Sequence, residues 1–165
     1  MATDSIRKQI LALFQTTLET ISIANGYRTN VQKVERASQR PLQAGVYPAI
    51  SVVEDQETKG MSLMRGAASG VPAPLGKMGA DLPLTIAFVL QTTLDNASDL
   101  VDDLFTDIEI CIMTLDEYVL PNGERLELIV HGQRPIITEA VAPFAAGEFY
   151  LTVNYSYMRG DPTRP

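Results

Sequence analysis

The feature that most constrains this chain is the strict alternation over residues 82–91. Leu84, Ile86, Phe88 and Leu90 fall on one side, and Thr85, Ala87, Val89 and Gln91 fall on the other. A period of two belongs to a strand with two unlike faces. Residues 147–158 repeat the pattern, with Phe149, Leu151, Val153, Tyr155 and Tyr157 set against Tyr150, Thr152, Asn154 and Ser156. Each of these strands has an apolar face that must be covered by another layer. Two amphipathic stretches can supply it. Ile6, Ile10, Leu13, Phe14, Leu18 and Ile21 keep the i, i+3, i+4 spacing of a helix, with Thr3 or Asp4 as its N-cap and Asn25-Gly26 as its stop. Asp95-Asn96 caps a second helix, whose apolar face is Ala97, Leu100, Val101, Leu104, Phe105, Ile108, Cys111 and Ile112, and which ends near Leu115.

Shorter strands fill in the order. Residues 27–34, 49–53 and 126–131 are rich in β-favouring side chains. Residues 36–48 read as a polar connection, Pro121-Asn122-Gly123 as a turn, and 135–144 as less regular. Residues 58–80 contain Gly60, Gly66, Gly70, Gly76, Gly79, Pro72 and Pro74, which predicts one long loop. That loop also carries Met61, Leu63, Met64, Leu75 and Met78, more apolar surface than an idle linker needs, and these are candidate contacts to a neighbouring subunit or partner. The expected architecture is α+β: a small antiparallel or mixed sheet with two helices packed on it. At 165 residues the chain is expected to be a single domain, 1–165, with a free tail at 159–165.

The balance of charge narrows the function. The formal net charge is −7, which argues against affinity gained by neutralising phosphates. The acidity is also uneven. Residues 78–124 hold no Lys or Arg, yet they hold ten of the chain's 20 acidic residues. Asp99, Asp103 and Asp107 fall at helical spacing within this stretch and form a candidate acidic surface. No apolar run approaches the roughly 20 residues that span a bilayer. Met1–Ser5 leads straight into the first helical pattern without a secretory-type segment, so synthesis and assembly in the cytoplasm are expected.

Catalytic and metal chemistry find little support. The single histidine, His131, reads as a surface or structural group near a strand end. The single cysteine, Cys111, lies on the apolar face of the second helix and reads as a buried hydrophobe. No Cys/His cluster suits zinc, and the aspartates have helical rather than calcium-loop spacing, so no metal and no cofactor are expected. Residues 70–78 approach a phosphate-loop pattern, but five residues separate Gly70 from Gly76 instead of four, and Met78 stands where a hydroxyl would meet magnesium. Arg159-Gly160-Asp161 matches an adhesive tripeptide by coincidence.

The layout carries a family resemblance. A helix ending in Ile23-Ala24-Asn25-Gly26-Tyr27 leads into a strand, followed by Pro48-Ala49-Ile50-Ser51-Val52-Val53, a long loop, the strand over 84–91, the helix over 97–115, a turn at Asn122-Gly123 and a closing strand with Tyr155 and Tyr157. This resembles the tail terminator and tail-completion proteins of long-tailed phages. The resemblance implies a non-enzymatic virion subunit at the head-proximal end of the tail. It implies a homo-oligomeric ring, commonly a hexamer, that caps the tail tube, stops its polymerisation and joins it to the head-side connector. DNA would then pass as non-specific cargo, with Asp99, Asp103 and Asp107 as the candidate acidic surface lining or bordering its path. A neck or head-completion protein is the alternative within that class. A small cytoplasmic enzyme or adaptor using the 58–80 loop as a lid is the alternative outside it.

Overall fold

The computed structural model describes residues 4–37, 46–60, 77–121, 123–137 and 143–158. The fold is α+β, as expected: a mixed six-stranded sheet with two helices. The helices are α1 (Ile6–Leu18) and α2 (Ala97–Met113). The strands are β1 (Lys33–Ala37), β2 (Ala49–Glu54), β3 (Thr58–Gly60), β4 (Lys77–Gln91), β5 (Glu127–Ile136) and β6 (Phe144–Met158).

The two alternating stretches form the spine of the sheet. β4 and β6 are each 15 residues long and pair antiparallel along their whole length, from Lys77↔Met158 to Gln91↔Phe144. Both exceed their predicted extents, beginning at Lys77 rather than 82 and at Phe144 rather than 147. The extra length is made possible by partners that satisfy its backbone groups. β2 pairs antiparallel with the later part of β4, from Ala49↔Val89 to Glu54↔Leu84, while β3 pairs with its start, from Thr58↔Asp81 to Gly60↔Gly79. β1 lies parallel to β2, and β5 lies antiparallel to β6. The strand order is therefore β1-β2-β4-β6-β5, with β3 off this path.

The expected 58–80 loop is corrected by this pairing. Its two ends are strands: β3 pairs with β4 as far as Gly60↔Gly79, and β4 begins at Lys77, paired with Met158. Met78 therefore belongs to β4 and not to a loop. Met61, Leu63, Met64 and Leu75 lie outside the described residues, as does the 159–165 tail.

The first predicted strand, 27–34, is also displaced, to 33–37. A 3-10 turn, Ile23–Asn25, ends at Gly26, whose φ of 90° is left-handed and suits glycine. The residues after it are held by hydrogen bonds to α2 rather than by a sheet partner. At the start of α1 the cap is Ser5 rather than Thr3 or Asp4: the Lys8 N–H donates to Ser5 Oγ at 3.3 Å. Asp4 instead pairs with Lys8 Nζ.

Both helices cover one face of the sheet. α1 lies over β1 and β2, α2 over β6 and β5, and the helices touch one another. Their buried sides meet the apolar faces of the spine, so that Phe14, Phe88 and Phe149 are fully enclosed. Phe88 and Phe105 meet edge to face, with centroids 4.9 Å apart. They sit directly over Gly147, where a Cβ would come within 2.5 Å of Phe88 Cζ and 2.6 Å of Phe105 Cζ.

Candidate interaction surface

The 17 residues of α2 divide into two faces with different work. Ala97, Val101, Leu104, Phe105, Ile108, Cys111 and Ile112 are buried toward the sheet. The opposite face carries Asp99, Asp102 and Glu109 in solvent, as the sequence of alternating acids suggests. In its last turn that face changes character. Ile110 is 56% exposed and Met113 44% exposed, and they are neighbours at i, i+3. The chain continues past the helix with Tyr118 and Val119, the latter 57% exposed. Four large apolar side chains within ten residues thus face water.

Of the three aspartates expected on an acidic surface, the fold keeps one fully in solvent, engages another and removes the third. Asp99 is exposed. Asp103 is half-buried and accepts a hydrogen bond from Arg28 Nη1 at 2.7 Å. Asp107 is 1% exposed and is a correction to the surface reading. The Arg28 N–H lies 3.1 and 3.0 Å from its two oxygens, the Thr29 N–H donates at 2.7 Å and the Thr29 hydroxyl at 2.6 Å. A buried carboxylate is tolerated where N–H and O–H donors replace its water. A signal for this was present in sequence, since Asp107 lies three residues after Leu104 and four before Cys111, on the buried side of the helix. The exposed positions of Ile110 and Met113 were legible by the same count.

Met78, grouped in sequence with the loop methionines, is half-buried against the core, with its Sδ 4.0 Å from the Tyr157 hydroxyl. It sits beside a polar cluster that sequence reading did not find. The Tyr155 hydroxyl donates to Glu57 Oε1, Lys59 Nζ lies 3.1 Å from Glu57 Oε2, and the same ammonium stands 5.4 Å from the Tyr157 ring centroid. Burial first, and the Glu57 hydrogen bond second, push the Tyr155 hydroxyl well above the usual tyrosine range. The cluster ties β3 to the end of β6.

The two residues weighed for catalysis are separately engaged. His131 lies exposed at the β5 bulge, with Nε2 2.7 Å from Thr152 Oγ1. Cys111 is buried, its thiol donates to the Thr17 carbonyl at 3.2 Å, and burial pushes its pKa up, against the direction that makes a nucleophile. Among the described residues, no group of three or more His, Cys, Asp or Glu is placed to hold a metal ion, and no helix is long and apolar enough to cross a membrane. A groove of about 380 Å³ is lined by Glu19, Val31, Gln32, Lys33 and Val34, between the end of α1 and β1.

The chain matches no family model and no curated protein. Among solved structures it is similar to a chain of the virion of a native gene transfer agent particle. The two share 13% sequence identity over 92% of each chain, with a TM-score of 0.47.

Proposed function

We propose that this protein is a non-catalytic structural subunit of a phage-type particle, and specifically a tail-terminator-like subunit that closes into a homo-oligomeric ring. The observation that carries the reading is the exposed apolar run at the end of α2, Ile110, Met113, Tyr118 and Val119. A folded subunit that leaves such side chains together in water gains by covering them with another protein. The layout on which the family resemblance rests is also kept: helix, strands, long central strand, helix and closing strand fold as one sheet with both helices on one side. In this role the ring caps the tail tube, halts its growth and presents a surface to the head-side connector. DNA passes through without being bound, in keeping with a net charge of −7.

Sedimentation and electron microscopy of the purified protein test the reading, with and without tail tubes of its own particle. An annular assembly with a central hole, seated at tube ends, is expected. A species that stays monomeric under both conditions overturns it.

A further inference from the structure

We propose that the outer face of α2 is the docking surface for a different protein of the particle, one that presents an apolar patch flanked by Lys or Arg, and not for a second copy of this chain. The inference rests on the reading above that the protein is a particle subunit, and it names the surface and the chemistry of what covers it.

The face is one continuous stripe. Asp99, Asp102, Thr106, Ile110 and Met113 follow one another at spacings of three and four, so they line up along the side of the helix turned away from the sheet. Asp99, Asp102, Ile110 and Met113 are exposed and Thr106 is half-buried. Glu109, also exposed, stands four residues before Met113 and beside it. At the rise of an α-helix the stripe is roughly 21 Å long. Its first half is acidic and its second half is apolar.

The charge of this stripe is not answered within the subunit. Among the described residues, no cation pairs with Asp99, Asp102 or Glu109. The last turn of α2 holds no basic residue, so nothing there offsets the partial negative charge of the carbonyl end, and Glu109 sits just before it. A partner that covers Ile110 and Met113 also dehydrates this end of the helix. It gains most by bringing Lys or Arg to the acids while its apolar side chains meet the isoleucine and the methionine.

The described surface of a second copy offers no such cations. Each Lys or Arg with a described side chain is already in an ion pair with an acid of its own subunit, as Arg28 is with Asp103 and Lys33 with Glu35. Two α2 faces laid together would set acid against acid. Nucleic acid is disfavoured by the same charge, because its phosphates would meet Asp99, Asp102 and Glu109.

Two double variants and two probes test this. Ile110→Ser with Met113→Ser removes the apolar half, and Asp102→Lys with Glu109→Lys reverses the charge; all four side chains are exposed. Circular dichroism and thermal melting establish that both variants remain folded. The probes are short fluorescein-labelled amphipathic helices, one of Leu and Lys and one of Leu and Glu. The Leu/Lys helix should bind the parent with an affinity that falls as salt rises, and hydrogen exchange should place its footprint on residues 106–119. Each double variant should weaken that binding by roughly 30-fold, as for central contact residues, and the Leu/Glu helix should not bind. Sedimentation should give both variants the oligomeric mass of the parent. Equal binding of the two helices, a footprint elsewhere, or binding unchanged in both variants overturns the proposal. Folded variants that lose the parent's oligomer would make α2 a contact between copies, which also overturns it and leaves the ring reading standing. A monomeric parent removes the ring reading, whereas this proposal stands or falls on the helix binding measured with that same monomer.

Discussion

Asp107 shows how a single carboxylate can hold the backbone between Gly26 and β1. It takes the N–H groups of Arg28 and Thr29 and the Thr29 hydroxyl, so the segment after Gly26 is held against α2 before the chain enters β1. Removing the carboxylate takes the partner from three part-buried donors, and a fully buried orphan costs about 1–3 kcal/mol. Asp107→Ala is therefore expected to destabilise the subunit by roughly 3 kcal/mol, whereas Asp99→Ala should stay within about 0.5 kcal/mol of the parent. Urea unfolding of the two variants checks this, and equal midpoints would contradict it. The sequence reading treated both aspartates alike because helical spacing alone was used to group them. Their phase relative to Leu104 and Cys111 separates them.

At the scale of elements, the closest packing is where β6 runs beneath α2. Gly147 is the point of contact: Phe88 from β4 and Phe105 from α2 occupy the space a side chain would need. Both rings are buried and locked against each other, so neither can swing away cheaply. Gly147→Ala is expected to cost about 1–3 kcal/mol, as for overpacked cores. Thermal melting against the parent would show it, and Phe105→Leu in the same chain should recover part of the loss. A Gly147→Ala melt that matches the parent would mean that the rings give way. The long strands and both helices were legible because their periods of two and 3.6 extend over many residues. The starts of β4 and β6 were not. Gly79 interrupts one, Ala145 and Ala146 dilute the other, and only cross-strand pairing makes these residues extended.

For the whole molecule, the buried tyrosine and thiol set an alkaline limit. Burial pushes the Cys111 thiol up, and burial with the Glu57 hydrogen bond pushes Tyr155 up, so the folded state keeps protons that the unfolded chain releases. Their contribution is fully present below the ordinary values of about 8.5 and 10, and is lost as pH rises beyond them. The urea midpoint should be level near neutrality and fall between pH 8 and 10.5, with a shallower fall in Tyr155→Phe. An unchanged midpoint across that range would contradict the assignment. The class of fold was readable from the order of periodic segments. The exposure of Ile110 and Met113 was legible in the helical phase of α2, whereas that of Tyr118 and Val119 was not, because it depends on how the chain runs past the helix.

The pairing of Gly60 with Gly79 has a consequence for how such a protein can change. The chain leaves β3 at Gly60 and enters β4 at Lys77, two residues before the position that faces Gly60, so the ladder fixes the distance between these two points. The closure entropy of an intervening segment grows only with the logarithm of its length. A reporter peptide inserted between Gly60 and Lys77 is therefore expected to leave the urea midpoint of the subunit close to the parent's.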